Sequence, residues 1–155
     1  MNDVETVYVP SYPATANRIF GKLWMGSAPP VGPSLSESFD GLILAAMEYQ
    51  PHPACFHGVE TALFPLDDGP PMSPTEEEAV MVASELVYGW LASGMRVVVT
   101  CFAGLNRSGI ICAATARLHG ASPEDAIAAV RAARGPSAMR NPHFLEFLGR
   151  MRLEA

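Results

Sequence analysis

Two hydrophobic patterns alternate along this chain: short continuous apolar runs and longer segments with helical periodicity. Residues 42–44 and 97–99 are leucine, isoleucine and valine, and runs of this length are typical of strands buried in a parallel sheet. Residues 59–66 predict a further strand, and residues 18–27 predict two short strands joined by a turn at Gly21. The pattern therefore predicts a sheet of about four to five strands.

The helical segments begin at strong start signals. Ser73 is an N-cap candidate, Pro74 suits the first helical position, and Glu76 completes a capping box. Ser122 and Asn141 also precede prolines and predict two later helices by the same logic. The four helices are predicted from 73 to about 93, from 107 or 108 to about 119, from 122 to about 134, and from 141 onward.

The order of these elements indicates an α/β fold. Strands come first, and a helix–strand–helix–helix–helix series follows, which predicts a central, mostly parallel sheet flanked by helices. Ligands of such sheets bind at the carboxyl ends of the strands. We expect the 155 residues to form one domain over 1–155, with residues 1–17, which contain two prolines, as an extended N-terminal arm.

Composition narrows the class of partner. The net charge is −6, which disfavours nonspecific binding to nucleic acid or to anionic membranes. No apolar run approaches the roughly 18–20 residues of a membrane span. The first ten residues have acidic side chains and lack the basic region of a signal peptide. We expect a cytoplasmic monomer with no nucleic-acid or membrane partner.

The chain has three cysteines, Cys55, Cys101 and Cys112, whose number and spacing argue against a disulfide framework or a zinc knuckle. His52 and His57 lie close to Cys55 in sequence, so a metal site is conceivable there. A fourth ligand is missing and the spacing matches no known metal motif. We therefore predict no metal and no cofactor.

Cys101 directly follows the strand that ends at Thr100, and five residues separate it from Arg107. A loop of this length between a strand and a helix directs backbone N–H groups inward, and the helix N-terminus adds its positive dipole. This predicts a cradle for an oxyanion, to which Arg107 offers a planar fork. The same field should favour the thiolate of Cys101. The predicted phosphate-binding residues are Phe102, Ala103, Gly104, Leu105, Asn106 and Arg107.

An alternative interpretation of the same residues is purely structural, with a buried cysteine at the end of a core strand and a glycine-bearing turn into a helix. However, Cys-x2-Gly-x2-Arg-Ser-Gly after an apolar strand resembles the signature loop of the cysteine-based protein tyrosine phosphatases. The compact dual-specificity branch is the most similar. The resemblance extends over about residues 18–150, although the cysteine loop is its specific part.

The resemblance implies a role for each site residue. Cys101 would be the nucleophile that forms a phosphocysteine, and Ser108 would hydrogen-bond the thiolate and stabilise the departing sulfur. Phosphomonoester hydrolysis also needs an acid for the leaving oxygen. The Pro-Leu-Asp-Asp sequence at 65–68 is similar to the family's general-acid loop and selects Asp68, with Asp67 as the alternative. Both aspartates would otherwise serve only to cap or solvate a turn.

Two other positions relate to the family pattern. Thr100 stands where the family usually has a histidine that supports the loop. Threonine can still donate one hydrogen bond, so we expect activity to survive with lower efficiency. Asn141 and Phe144 match an Asn-x-x-Phe sequence of the branch and are expected to serve packing.

The loop residues also bear on the substrate. No lysine occurs at 102–106, which disfavours the highly charged inositol phosphates. The Gly-Leu-Asn-Arg sequence at 104–107 is similar to that of RNA 5′-triphosphatases, but the acidic chain argues against RNA. We expect a phosphorylated protein substrate, at phosphotyrosine and also at phosphoserine or phosphothreonine. The alternatives are a non-catalytic phosphate-binding pseudophosphatase, an RNA 5′-triphosphatase-like or other phosphate monoester hydrolase, and a sulfur-transfer or arsenate-reducing enzyme.

Overall fold

The structure is a computed structural model that describes residues 6–7 and 16–151. These residues form a six-stranded mixed sheet with the strand order β1-β2-β3-β6-β4-β5. The strands are β1 (Thr6–Val7), β2 (Ala16–Phe20), β3 (Leu23–Gly26), β4 (Gly41–Ala46), β5 (Glu60–Leu66) and β6 (Val97–Thr100). The predicted α/β class is confirmed, with β1, only two residues long, added to the expected number of strands.

The sheet is parallel where the sequence predicts buried strands. The strands β3, β6, β4 and β5 pair in parallel, whereas β1 and β2 join the sheet in antiparallel fashion. The predicted hairpin is present, and Gly21 at its turn has a φ of +52°. Of the predicted N-terminal arm, residues 1–5 and 8–15 lie outside the described residues. The part that is described pairs with β2 or belongs to it.

Four α-helices follow the predicted boundaries closely. Ser73 caps the first of them with the predicted capping box, since its Oγ accepts from Glu76 N at 3.1 Å and its N–H donates to Glu76 Oε1 at 3.1 Å. The helices are α1 (Pro74–Ala92), α2 (Arg107–Leu118), α3 (Pro123–Arg134) and α4 (Pro142–Arg150). Two 3-10 helices also form, at Ser34–Glu37 and Pro53–Cys55.

The α-helices all pack on one face of the sheet. Residues such as Met25, Ile43 and Val99 point toward them and form the main core. On the opposite face, Leu42, Leu44 and Val98 are covered by loops and by the two 3-10 helices, which contribute Leu35, Phe39 and Phe56. The covering segments are rich in proline and glycine, which explains why they contain only short helical turns.

This topology brings three loops to one edge of the sheet. Because β4, β5 and β6 are parallel, the segments after Ala46, Leu66 and Thr100 begin at the same edge. The cysteine loop follows β6, an interior strand, and the segment after β4 begins between it and the segment after β5. Within residues 16–151, no helix is long and apolar enough to span a membrane.

Candidate active site

The cysteine loop connects the end of β6 to the first residue of α2. Cys101 is buried, with 3% of its surface exposed. Gly104 lies in the left-handed region, with a φ of +72°, and a Cβ added to it would lie 2.8 Å from the carbonyl carbon and oxygen of Gly26. The loop therefore needs glycine at this position for two reasons, backbone conformation and lack of space.

Two polar groups contact the sulfur of Cys101. The backbone N–H of Gly104 donates to Sγ at 3.2 Å, and the hydroxyl of Ser108 lies 3.2 Å from Sγ. Ser108 is the second residue of α2, so the sulfur also lies near the positive end of a helix. This is a set of groups that can stabilise negative charge on sulfur.

Arg107 is 8% exposed and is anchored on both sides by oxygen atoms. Its Nη2 donates to Glu48 Oε2 at 2.8 Å, and its Nη1 donates to Glu48 Oε1 and, at 3.2 Å, to the carbonyl of Leu66. The ion pair raises the pKa of Arg107 and lowers the pKa of Glu48 from 4.5 to about 2, chiefly through the side-chain hydrogen bonds. The guanidinium is therefore permanently charged and fixed in orientation.

The Nε of Arg107 is different from the terminal nitrogens. It is buried and has no hydrogen-bond partner among the described residues. A buried donor without a partner costs on the order of 1–3 kcal/mol, and this N–H is available to an acceptor on a bound ligand. An oxyanion bound at the loop would supply the missing acceptor.

Glu48 belongs to the candidate site, although no motif or spacing in the sequence predicts a role for it. It lies two residues after β4, at the same edge of the sheet as Cys101. A charged side chain at the carboxyl end of a buried parallel strand is the signal that points to it.

Asp68 is bound to the cysteine loop through side-chain amides. Its Oδ2 accepts from Asn106 Nδ2 at 3.2 Å, and its Oδ1 accepts from Asn141 Nδ2 at 3.0 Å. Asn106 Oδ1 in turn accepts from the backbone N–H groups of Arg140 and Asn141, at 2.8 and 3.2 Å. Asp67 is exposed, and its backbone N–H donates to Glu76 Oε2 at 2.9 Å. Of the two aspartates, Asp68 is therefore the one connected to the cysteine loop.

Asn141 does more than the packing expected of it. Its Oδ1 accepts from the N–H groups of His143 and Phe144, at 2.9 and 3.4 Å, and so caps α4. Its Nδ2 donates to the backbone carbonyl of Asp68 at 2.9 Å as well as to the carboxylate. One side chain thus joins the start of α4 to the aspartate loop.

The side chains of the remaining predicted residues contact other parts of the protein or solvent. Thr100 is buried, and its hydroxyl donates to the carbonyl of Ile43 at 2.9 Å, toward the neighbouring strand. Phe102, 61% exposed, and Ala103 present their side chains to solvent, so they can contribute only backbone groups to a cradle. Leu105 is half-buried, and its carbonyl accepts from Met139 N at 3.2 Å.

The candidate metal ligands have other environments. His52 Nδ1 accepts from Ala54 N at 3.0 Å and caps a 3-10 helix. In residues 16–151 there is no group of three or more His, Cys, Asp or Glu side chains arranged to hold a metal. Cys55 is half-buried and Cys112 is buried in the core, where burial raises the pKa of its thiol.

No protein-family model matches this sequence, and no curated protein matches it either. Solved structures do. Tk-PTP in its active form is 23% identical with a TM-score of 0.75, over 92% of this chain and 97% of that one. PTPMT1 is 25% identical with a TM-score of 0.71, over 87% and 92%. Human DUSP28 is 23% identical with a TM-score of 0.71, over 89% and 91%. The chain has the compact dual-specificity phosphatase fold, as its cysteine loop predicted.

Proposed function

We propose that this protein is a cysteine-dependent phosphatase that hydrolyses phosphate monoesters of proteins, at phosphotyrosine and also at phosphoserine and phosphothreonine. The observation that supports it most strongly is the buried Nε of Arg107, at the end of the loop that begins with the Cys101 thiol. This nitrogen has no hydrogen-bond partner in the part of the chain that the structure describes. A buried cation with a free donor next to a potential thiolate matches what a phosphoryl group requires.

The first chemical step would transfer the phosphoryl group to sulfur. The Cys101 thiolate attacks phosphorus, an S–P bond forms, and the bond from phosphorus to the substrate oxygen breaks. Asp68 gives its proton to that oxygen, so the alcohol or phenol leaves neutral. Arg107 and the backbone N–H groups of the loop bind the equatorial oxygens, on which charge develops.

The second step would release phosphate. Asp68, now a carboxylate, accepts a proton from a water molecule that attacks the phosphocysteine, and the S–P bond breaks. The sulfur leaves as a thiolate, and Ser108, whose hydroxyl lies 3.2 Å from Sγ, donates a hydrogen bond to it. The enzyme thereby returns to its starting form, with a thiolate at Cys101 and a proton on Asp68 for the next turnover.

A protein substrate fits the charge of this loop better than a polyphosphate does. Residues 102–106 contain no cationic side chain, so Arg107 supplies the positive side-chain charge of the Cys101–Arg107 segment. One guanidinium is suited to binding a single phosphoryl group. PTPMT1 has been solved in complex with PI(5)P. A phosphoinositide is therefore the natural counter-substrate to include in any test.

The decisive experiment compares hydrolysis of para-nitrophenyl phosphate, a phosphotyrosine peptide and a phosphoserine peptide, with PI(5)P and a 5′-triphosphorylated RNA as further arms. The variants are wild type, Cys101→Ser and, as a matched control, Cys55→Ser. We expect turnover in wild type and Cys55→Ser, loss in Cys101→Ser, competition by orthovanadate, and phosphotyrosine as the fastest peptide.

Other outcomes would change the assignment. Orthovanadate binding without turnover of any substrate would indicate a pseudophosphatase. Faster turnover of the RNA or of PI(5)P than of the peptides would contradict the protein substrate but keep the reaction. Hydrolysis that persists in Cys101→Ser would overturn the mechanism.

A further inference from the structure

The outer side of the cysteine loop is held by an arginine to which the sequence assigns no role. Arg134, the last residue of α3, donates from Nε to the carbonyl of Gly104 at 3.1 Å. Its Nη1 donates to Asn17 Oδ1 on β2 at 2.7 Å. The guanidinium therefore connects the cysteine loop to a helix and to a strand at the same time.

The carbonyl that Arg134 binds controls the direction of a neighbouring donor. In a trans peptide the C=O and N–H groups point in opposite directions, so a Gly104 carbonyl held by Arg134 directs the N–H of Leu105 away from it. On the preceding peptide, the N–H of Gly104 donates to Cys101 Sγ at 3.2 Å. Gly104 has a φ of +72°, and because glycine has access to many backbone conformations, a contact from outside the loop helps to hold this one.

The position before the cysteine does not supply that contact. The hydroxyl of Thr100 donates to Ile43 O on the adjacent strand, away from the loop. The histidine expected at this position from the resemblance is absent, and so is its hydrogen bond to the loop. Arg134 contacts the loop from the other direction, through a carbonyl three residues beyond Cys101.

We propose that Arg134 is a positioning residue that orients the Gly104 and Leu105 peptides, so that their N–H groups face the Cys101 sulfur and a bound phosphoryl group. This inference rests on the proposed function for the identity of the anion. Asn17 fixes the far side of the guanidinium, and its loss should weaken the same effect without removing the charge.

Three variants and one control test this. Arg134→Gln removes the charge and the fork, Arg134→Lys keeps a charge that can reach one acceptor, and Asn17→Ala loosens the fork. The control is Arg117→Gln, because Arg117 also donates to two backbone carbonyls, at 3.1 and 2.8 Å, near the other end of α2. Arg117 lies about 15 Å along the helix from Arg107.

The readouts are orthovanadate affinity and the rate of Cys101 alkylation by iodoacetamide across pH 5–8, with circular dichroism to verify folding. We expect Arg134→Gln to weaken orthovanadate binding about 10-fold and to slow alkylation near pH 6 by a similar factor. Arg134→Lys and Asn17→Ala should show smaller changes in the same direction, and Arg117→Gln should match wild type.

Arg134→Gln with orthovanadate affinity and alkylation within about twofold of wild type would overturn the proposal, as would an equal loss in Arg117→Gln. If Arg134→Gln does not fold, Asn17→Ala decides, and wild-type behaviour there contradicts the proposal. Neither readout requires turnover. A wild-type protein that binds orthovanadate but hydrolyses no substrate would remove the proposed function and leave the effect of Arg134 measurable.

Discussion

Asn141 donates from a single side-chain nitrogen to two oxygens of Asp68, to the backbone carbonyl at 2.9 Å and to Oδ1 at 3.0 Å. The residue that caps α4 therefore also sets the position of the proposed general acid. Asn106, inside the cysteine loop, binds the other carboxylate oxygen of Asp68 at 3.2 Å. The two amides hold the aspartate loop against the cysteine loop.

Asp68→Ala should lower kcat for phenyl phosphate by roughly 10²–10⁴-fold, because the phenolate would leave without a proton. Asp67→Ala should stay within about twofold of wild type, since Asp67 is exposed and its backbone N–H, which the substitution keeps, is bonded to Glu76. Steady-state kinetics on both variants measure this. A larger loss in Asp67→Ala than in Asp68→Ala would exchange the two roles.

Asn141→Ser should separate capping from the positioning of the acid. Serine can cap α4, so the thermal midpoint should fall only slightly, whereas the two hydrogen bonds to Asp68 are lost. We expect kcat for phenyl phosphate to fall about 10-fold and kcat for para-nitrophenyl phosphate, whose leaving group needs less protonation, to fall less.

The matched control for Asn141→Ser is Ser122→Ala. Ser122 caps α3 by accepting from Asp125 N at 3.1 Å and so provides a helix cap on another helix. Its loss should cost about 1 kcal/mol of folding free energy and leave the kinetics unchanged. Equal effects of Asn141→Ser on the two substrates would argue against a role in positioning Asp68.

Ser108→Ala should slow the second chemical step more than the first. Without the hydroxyl at 3.2 Å from Cys101 Sγ, the departing thiolate loses a hydrogen-bond donor and the phosphocysteine accumulates. Rapid-mixing experiments with para-nitrophenyl phosphate should show a burst of nitrophenol approaching one equivalent. Ser84→Ala, at a buried serine that donates to Met81 O, should show the wild-type time course.

Gly104→Ala should abolish orthovanadate binding and destabilise the fold. A methyl group would lie 2.8 Å from the carbonyl of Gly26, and the φ of +72° adds a penalty of about 1–2 kcal/mol for a residue with a Cβ. The control is Gly120→Ala, where φ is +98° and nothing lies within 4 Å of the added carbon. That variant should be destabilised but should bind orthovanadate normally, as calorimetry would show.

Glu48 should contribute to the loss of folding stability at acidic pH. Its pKa is lowered from 4.5 to about 2 by Arg107, so its contribution to stability is complete above pH 4.5 and is lost as the pH falls toward 2. Glu48→Gln should be less stable than wild type at pH 7, and the difference should shrink between pH 4.5 and 2. Urea denaturation across this range measures it, and Glu78→Gln, at an exposed position, should follow wild type throughout. A difference that stays constant with pH would contradict the ion-pair explanation.

Local patterns explain what could be predicted. The capping box at Ser73 and the hairpin turn at Gly21 depend on residues close together in sequence, and both are present. Contacts over long sequence separations were not predictable in this way. The partner of Arg107 lies 59 residues away, and Asn141 lies 73 residues from Asp68. No spacing rule connects such positions before the parallel strands bring their carboxyl ends together.

The sequence by itself determined the class of the fold and the composition of the loop from Cys101 to Ser108, because strand, loop and helix follow one another without a break. Tertiary structure alone decided that Glu48 fixes the guanidinium of Arg107, that Asn141 holds Asp68, and that all four helices pack on one face of the sheet. These relationships depend on which strand ends share an edge and on what covers each face of the sheet. Both follow from how the elements pack against one another, which local hydrophobic periodicity does not encode.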